Sequence, residues 1–124
     1  MIKIFTCLCA FLSILLSSCA YEKADEIAMP RVVCTTPSVV SYGISISPIL
    51  DRNCRSCHNA TLLTGGVNLE DFAVIKQHVN SGVLMGNVKH LPGYMPMPQN
   101  AAKLSACDID LLQKWVDAGA PNNY

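Results

Sequence analysis

The chain has 124 residues, a length that suits a single domain. Its hydrophobic content of 51% excludes a disordered chain, and its formal net charge of zero leaves no overall basic field to bind nucleic acid. Seven residues are cysteine, which is a high and odd number for a cytosolic protein. We therefore expect export from the reducing cytosol, a bound metal or cofactor, or both.

Residues 1–18 are predicted to be a cleaved signal peptide. Lys3 precedes an apolar run from Ile4 to Leu16, which has the length of a signal-peptide hydrophobic region and is too short to span a bilayer comfortably. The run ends in Leu16-Ser17-Ser18-Cys19, which resembles the lipobox of bacterial lipoproteins. That resemblance implies cleavage before Cys19 and a diacylglycerol thioether on its sulfur. An ordinary signal peptide with another cleavage site, or a retained anchor helix, is the alternative.

The resemblance to a lipobox predicts an exported protein of the cell envelope. Its lipid would anchor it to a bacterial membrane, on the periplasmic side or at the cell surface. Residues 20–43 mix charged residues with Pro, Ser and Thr and show no helical periodicity. We expect residues 19–43 to form a lipid-anchored tether and residues 44–124 to form the domain.

The domain is predicted to be all-α. A first helix is expected to begin at Ser47, as N-cap, with Pro48 in its first turn, and to run into Cys54. Residues 59–66 read as a loop. A second helix is expected after Asn68 as N-cap and to end at Gly82. Its apolar residues recur at helical spacing: Phe72, Ile75 and Val79.

The last third of the chain predicts two more helices. A short one covers Val83 to Val88, and residues 91–100 hold three prolines and a glycine, so they must be extended or turning. Ser105 and Asp108 have the spacing of a capping box at the start of a final helix that ends at Gly119. Nowhere does the sequence alternate as a half-buried strand does.

The sequence Cys54-Arg55-Ser56-Cys57-His58 is the C-x-x-C-H attachment motif of c-type haem. Two thiols three residues apart can each form a thioether with one vinyl group of the same porphyrin, and the adjacent imidazole can bind the iron. A thioredoxin-like redox pair, a zinc site and a structural Cys54–Cys57 disulfide are the alternatives. The first lacks its βαβ setting, and the second lacks a further C-x-x-C.

A haem iron in this domain needs a second axial ligand. Met95 and Met97 lie in a proline-rich stretch, and methionine sulfur is a common ligand of c-type haem. We favour Met97, which is the more central between the prolines, with Met95 as second choice. His78 and His90 are rival ligands, although two histidines exposed to solvent are the simpler interpretation.

Cys34 and Cys107 remain once lipid and haem have taken three thiols of the mature chain. In an oxidising compartment, two spare cysteines are expected to pair. The disulfide would join the tether to the start of the last helix. Two free buried thiols are the alternative.

Residues 44–120, approximately, resemble a class I cytochrome c domain of the kind found in small bacterial lipoprotein cytochromes. The resemblance rests on the attachment motif with its flanking Asn53 and Asn59, on 66–69 (GVNL), on 92–98 (PGYMPMP) and on 115–120 (WVDAGA). It implies a mono-haem fold of three to four helices around one covalent haem c. It also implies Met97 as the distal ligand, and Trp115 packed where the first and last helices cross.

The function implied is outer-sphere electron transfer between Fe(II) and Fe(III), with redox proteins as transient partners and no catalysis. Two alternatives remain open at this point. One is an accessory or sensing subunit of a membrane redox complex. The other is a peroxidase-like haem enzyme whose distal ligand can be displaced.

Overall fold

The structure is a computed structural model that describes residues 34–124. The predicted signal peptide 1–18, the lipid-attachment residue Cys19 and most of the predicted tether lie outside these residues. The described chain contains four α-helices and no strand, so this part of the protein is all-α as predicted. The helices are α1 (Ser47–Asn53), α2 (Phe72–Asn80), α3 (Val83–Val88) and α4 (Ala106–Asp117). A π-helical turn (Tyr42–Ile46) precedes α1, and a 3₁₀ turn (Thr64–Gly66) precedes α2.

The prediction that Ser47 caps the first helix is wrong. Helical backbone begins earlier, in the π-helical turn, and Ser41 caps that turn by accepting a hydrogen bond on Oγ from the Ile44 N–H at 3.3 Å. Ser47 itself is helical, and Pro48 lies in the first turn of α1 as expected. The turn and α1 therefore follow one another without a break.

The prediction that Asn68 caps the second helix is also wrong. Asp71 is the N-cap, and its Oδ1 accepts a hydrogen bond from the Ala73 N–H at 2.8 Å. Asn68 makes a similar bond to the Glu70 N–H at 3.0 Å, but it closes a turn before the helix. Both side chains satisfy backbone donors, and only the bond between the Ala73 N–H and Asp71 starts a helix.

The last two helices have the predicted limits. Helix α3 covers Val83–Val88, after Gly82 in the left-handed region at φ 74°. Helix α4 is capped by Ser105, whose Oγ accepts a hydrogen bond from the Asp108 N–H at 3.0 Å. Gly119 follows α4 at φ 85°, which is a conformation that glycine adopts without strain.

The core lies between α4, α1 and the π-helical turn. Trp115 is fully buried, and its ring centroid lies 5.7 Å from that of Tyr42 and 6.4 Å from that of Phe72. The Trp115 Nε1–H donates to the Pro121 carbonyl at 2.9 Å, so the one polar atom of this ring is satisfied. Aliphatic side chains complete the fully buried set: Ile46, Ile49, Leu50, Ile75 and Leu112.

The packed part of the chain begins before residue 44, where the sequence placed the domain boundary. Val40 and Tyr42 are both buried at 6% exposure. Asn123 holds this segment near the C-terminus, because its Oδ1 accepts from the Tyr42 N–H at 2.8 Å and its carbonyl accepts from the Gly43 N–H at 2.9 Å. The two ends of the described chain are therefore joined.

A disulfide links Cys34 to Cys107, at a sequence separation of 73. It ties the segment that precedes the core to the first turn of α4. A cross-link that closes so long a loop stabilises the fold mainly by restricting the unfolded chain.

The double variant Cys34→Ser/Cys107→Ser is expected to lower the free energy of unfolding by about 2–4 kcal/mol, because the unfolded chain regains its loop-closure entropy. Urea denaturation followed by the fluorescence of Trp115 measures this difference.

The control is the same comparison in strong reductant, where wild type and double variant should be equally stable. Thiol titration of the unfolded, unreduced wild type should find neither Cys34 nor Cys107 reactive. Equal stability of the two proteins without reductant would contradict a stabilising bond.

Candidate cofactor site

A cavity of about 450 Å³ opens between the attachment motif and the segment that follows α2. Its wall includes Cys54, Cys57, His58 and Met97, which are the four residues that the sequence indicated for haem. The other apolar side chains of the wall come from the loop before α2 and from α3: Val67, Leu69, Val83, Leu84 and Val88.

The attachment motif continues the turn of α1. The Cys54 N–H donates to the Leu50 carbonyl at 2.9 Å, and the His58 N–H donates to the Cys54 carbonyl at 3.0 Å. This winding brings both thiols and the imidazole to the same cavity. Cys54 and Cys57 are free thiols in the structure, so the alternative of a disulfide between them is not formed.

Arg55, inside the motif, makes four hydrogen bonds to other parts of the chain. Its Nε donates to the Leu69 carbonyl at 2.8 Å, and its Nη2 donates to the Tyr42 hydroxyl at 2.9 Å. Its Nη1 donates to Ser47 Oγ at 2.8 Å and to Asp51 Oδ1 at 2.7 Å. Burial disfavours the charge, but the bonds to Asp51 and Tyr42 outweigh burial and raise the pKa of the guanidinium. The motif is thereby fixed from outside the cavity.

The imidazole of His58 is oriented by the loop that follows the motif. Its Nδ1 lies 3.0 Å from the Thr64 carbonyl oxygen. A carbonyl only accepts, so Nδ1 carries a proton, and in the neutral imidazole this tautomer leaves the lone pair for a ligand bond on Nε2. The loop itself is held against the motif, because the Thr64 N–H donates to the Cys57 carbonyl at 3.3 Å.

The two thiols differ in their surroundings. Burial raises the pKa of the Cys54 thiol to about 11, and the nearby charge of Arg55 only partly opposes that rise. Cys57 is exposed. At neutral pH Cys54 is therefore a neutral thiol on the buried side of the cavity, and Cys57 lies at its rim.

The two methionines of the proline-rich stretch are placed differently. Met97 is half-buried and lines the cavity. Met95 is 58% exposed and is not part of the cavity wall. The preference for Met97 over Met95 therefore agrees with which of the two side chains reaches the cavity.

The two rival histidines also separate. His78 lines the cavity, and its Nδ1 lies 2.9 Å from the Val74 carbonyl of its own helix. His90 lies outside the wall, and its Nε2 is 3.0 Å from the Met97 carbonyl oxygen. Both side chains are partly buried, so neither is simply exposed to solvent as the simpler interpretation assumed.

Residues 91–98, which we call the Met97 loop, pack against α3 at a glycine. The Leu91 N–H donates to the Gly86 carbonyl at 3.0 Å. A Cβ placed on Gly86 would lie 2.3 Å from Cδ1 of Tyr94, a separation that real structures do not show. Only glycine at position 86 lets the Tyr94 ring lie directly on the helix.

No protein-family model, curated protein or solved structure matches this chain. The resemblance to class I cytochrome c domains rests on the motifs alone. Within residues 34–124, no helix has the length and apolar character needed to cross a membrane. In the same part of the chain, no group of three or more His, Cys, Asp or Glu side chains is arranged to hold a metal ion.

Sequence reasoning missed the structural roles of Arg55 and His90. The spacing of Asp51 and Arg55, four residues apart near a helix end, indicates an ion pair, and its Nη1–Oδ1 distance is 2.7 Å. That pattern could have singled out Arg55. No local pattern indicates that His90 reaches the backbone of Met97.

Gly86→Ala is expected to destabilise the protein by about 1–3 kcal/mol, because the added methyl group overlaps the Tyr94 ring. Tyr94→Ala removes that overlap, so the double variant should lose less than the sum of the two single losses. Chemical denaturation of all four proteins gives the coupling energy.

The matched control pairs Gly86→Ala with Tyr124→Ala, whose ring contacts Gly43 instead. These two changes should add. Additivity of Gly86→Ala with Tyr94→Ala would show that the close approach of the ring to Gly86 does not constrain the loop.

Proposed function

We propose that this protein is a mono-haem c-type cytochrome lipoprotein that performs outer-sphere electron transfer in the cell envelope. One observation carries the proposal: Cys54, Cys57, His58 and Met97 line the same cavity. Met97 is remote in sequence from the attachment motif, so nothing in the motif itself requires the methionine side chain to reach the same cavity.

The residues present fit a haem. The cavity volume of about 450 Å³ falls within the range of small-molecule and cofactor sites, and much of the wall is aliphatic. Both thiols are free to form thioethers, and His58 presents an unprotonated Nε2. A bound haem c would supply an iron centre that takes up and releases one electron.

Each of the four residues has a definite role in this proposal. Cys54 and Cys57 would hold the porphyrin through two thioether bonds, and His58 and Met97 would supply the ligands of the iron. Hydrogen bonds to backbone carbonyls fix the orientation of His58, and the contacts with α3 fix the Met97 loop. A rigid ligand set favours electron transfer, since little needs to rearrange when the charge changes.

Exposure around the motif supports transfer to transient partners. Cys57 is exposed, and Leu62 and Leu63 in the following loop are 61% and 46% exposed. An edge of the bound group next to Cys57 would lie near solvent, within reach of a second redox protein. We propose redox proteins as the partners, and electron transfer without catalysis as the role of the chain.

The proposed location has two kinds of support. The sequence before Cys19 resembles a lipobox, and a disulfide joins Cys34 to Cys107. Such bonds persist in oxidising compartments and are rare in the cytosol of most organisms. We propose an exported protein held to a bacterial membrane by lipid on Cys19.

The protein purified after export should show a covalent haem spectrum and a near-infrared band of methionine–iron ligation. Met97→Ala should abolish that band, because it removes the sulfur that lines the cavity. Met95→Ala is the matched control and should leave the band intact, since Met95 is 58% exposed. Loss of the band in Met95→Ala alone would move the ligand by two residues.

Carbon monoxide binding distinguishes electron transfer from the peroxidase-like alternative. With both axial positions filled, the reduced wild type should bind carbon monoxide slowly and incompletely, and Met97→Ala should bind it fast. Fast and complete binding by the wild type would favour an open distal site. Stable co-purification with one membrane complex from detergent would favour the accessory-subunit alternative.

A further inference from the structure

We infer that His90 is a positioning residue for the distal ligand, and that its imidazole N–H holds the backbone of Met97 at the cavity wall. The inference rests on the proposed function, because it assigns a role within the same site. The sequence alone also allows His90 as an iron ligand. Its contact with the Met97 carbonyl points instead to a role in holding Met97.

The contact between His90 and Met97 has only one possible direction. Nε2 of His90 lies 3.0 Å from the carbonyl oxygen of Met97. Because a carbonyl has no proton to give, Nε2 is the donor and carries its hydrogen. A nitrogen that carries a proton has no lone pair for iron, so this bond and ligation through Nε2 exclude each other.

The bond closes a small ring of hydrogen bonds around Asn87. The Met97 N–H donates to the Asn87 carbonyl at 3.1 Å, and the His90 N–H donates to the same oxygen at 3.2 Å. With the side chain of His90 on the Met97 carbonyl, both backbone polar groups of Met97 are satisfied. Met97 is thus fixed at its N–H and at its carbonyl, directly beside its own side chain.

The anchor of this ring belongs to the cavity. Asn87 is part of α3 and lines the cavity together with Met97. The backbone of His90 turns back there at φ 53°, in the left-handed region that histidine enters more readily than most residues. His90 therefore connects the wall formed by α3 to the residue that would bind iron from that side.

The test compares two variants of similar size, His90→Leu and His90→Gln. Glutamine places an amide N–H at about the reach of Nε2, whereas leucine has no donor. In the holo-protein, His90→Leu should shift the equilibrium between bound and detached Met97 by about three- to tenfold, the range expected for one hydrogen bond. The near-infrared band should weaken, the reduction potential should fall, and carbon monoxide should bind faster.

His90→Gln should restore all three properties to near the wild-type values. Asn123→Ala is the stability control, because it removes the 2.8 Å bond to the Tyr42 N–H outside the cavity wall. It should lower stability without changing the band.

An unchanged band and carbon monoxide rate in His90→Leu would overturn the inference, as would equal impairment in His90→Gln. Failure of the proposed function is separate, since wild type would then lack the band or keep it in Met97→Ala.

Discussion

The rest of the site depends on the hydrogen bonds of one group, the guanidinium of Arg55. Its hydrogen bonds run to the π-helical turn, to α1 and to the loop before α2, and they meet at one planar group at the end of a side chain that is 15% exposed. The fork of donors on arginine can serve several acceptors at once in fixed directions. These bonds hold the backbone of Arg55, and they therefore also hold Cys54 and Cys57, which lie on either side of it in the motif.

Leu69 carries that constraint across to the far wall of the cavity. Its carbonyl accepts from Arg55, its N–H donates to the His58 carbonyl at 2.8 Å, and its side chain lines the cavity. One residue thus ties the backbone of His58 to the loop before α2. The opposite side is built on α3, where Gly86 and Asn87 hold the Met97 loop. The two halves of the wall are rigid for different reasons, the first because of one charge and the second because of a close backbone approach.

Local signals in the sequence predicted the features that local interactions decide. The limits of α3 and the cap at Ser105 follow from residues within one turn of each other. The start of α2 was wrong because Asn68 and Asp71 both close Asx-type bonds, and only the surrounding packing selects between them. The early start of helical structure before α1 was missed because the cap of the π-helical turn, Ser41, is held by a residue remote in sequence: its Oγ–H donates to the Asn123 carbonyl at 3.1 Å.

The candidate site divides along the same line. The attachment motif followed from residue type and spacing, and the choice of Met97 from its place between the prolines and from the resemblance to cytochrome c domains. Both cysteines, His58 and Met97 line one cavity. Most of the supports of the site did not follow, because they join residues outside one helical turn of each other and many of the acceptors are backbone carbonyls. Arg55 reaches Leu69 across 14 positions, and His90 reaches a carbonyl that any residue at position 97 would offer. A pattern of side chains in the sequence cannot indicate an acceptor that every residue carries on its backbone.

The disulfide at Cys34 determines where a lipid anchor at Cys19 would be joined to the described part of the chain. With lipid on Cys19, 15 residues of chain would join the membrane anchor to this bond, and a chain of that length spans at most roughly 50 Å. It ends at α4, and none of the described residues of the cavity wall belongs to that helix. An attachment at this disulfide would therefore leave the rim of the cavity near Cys57 uncovered. Under the proposed function, redox partners on the same membrane would meet the protein by diffusion in the plane of the membrane, within the reach that these 15 residues allow.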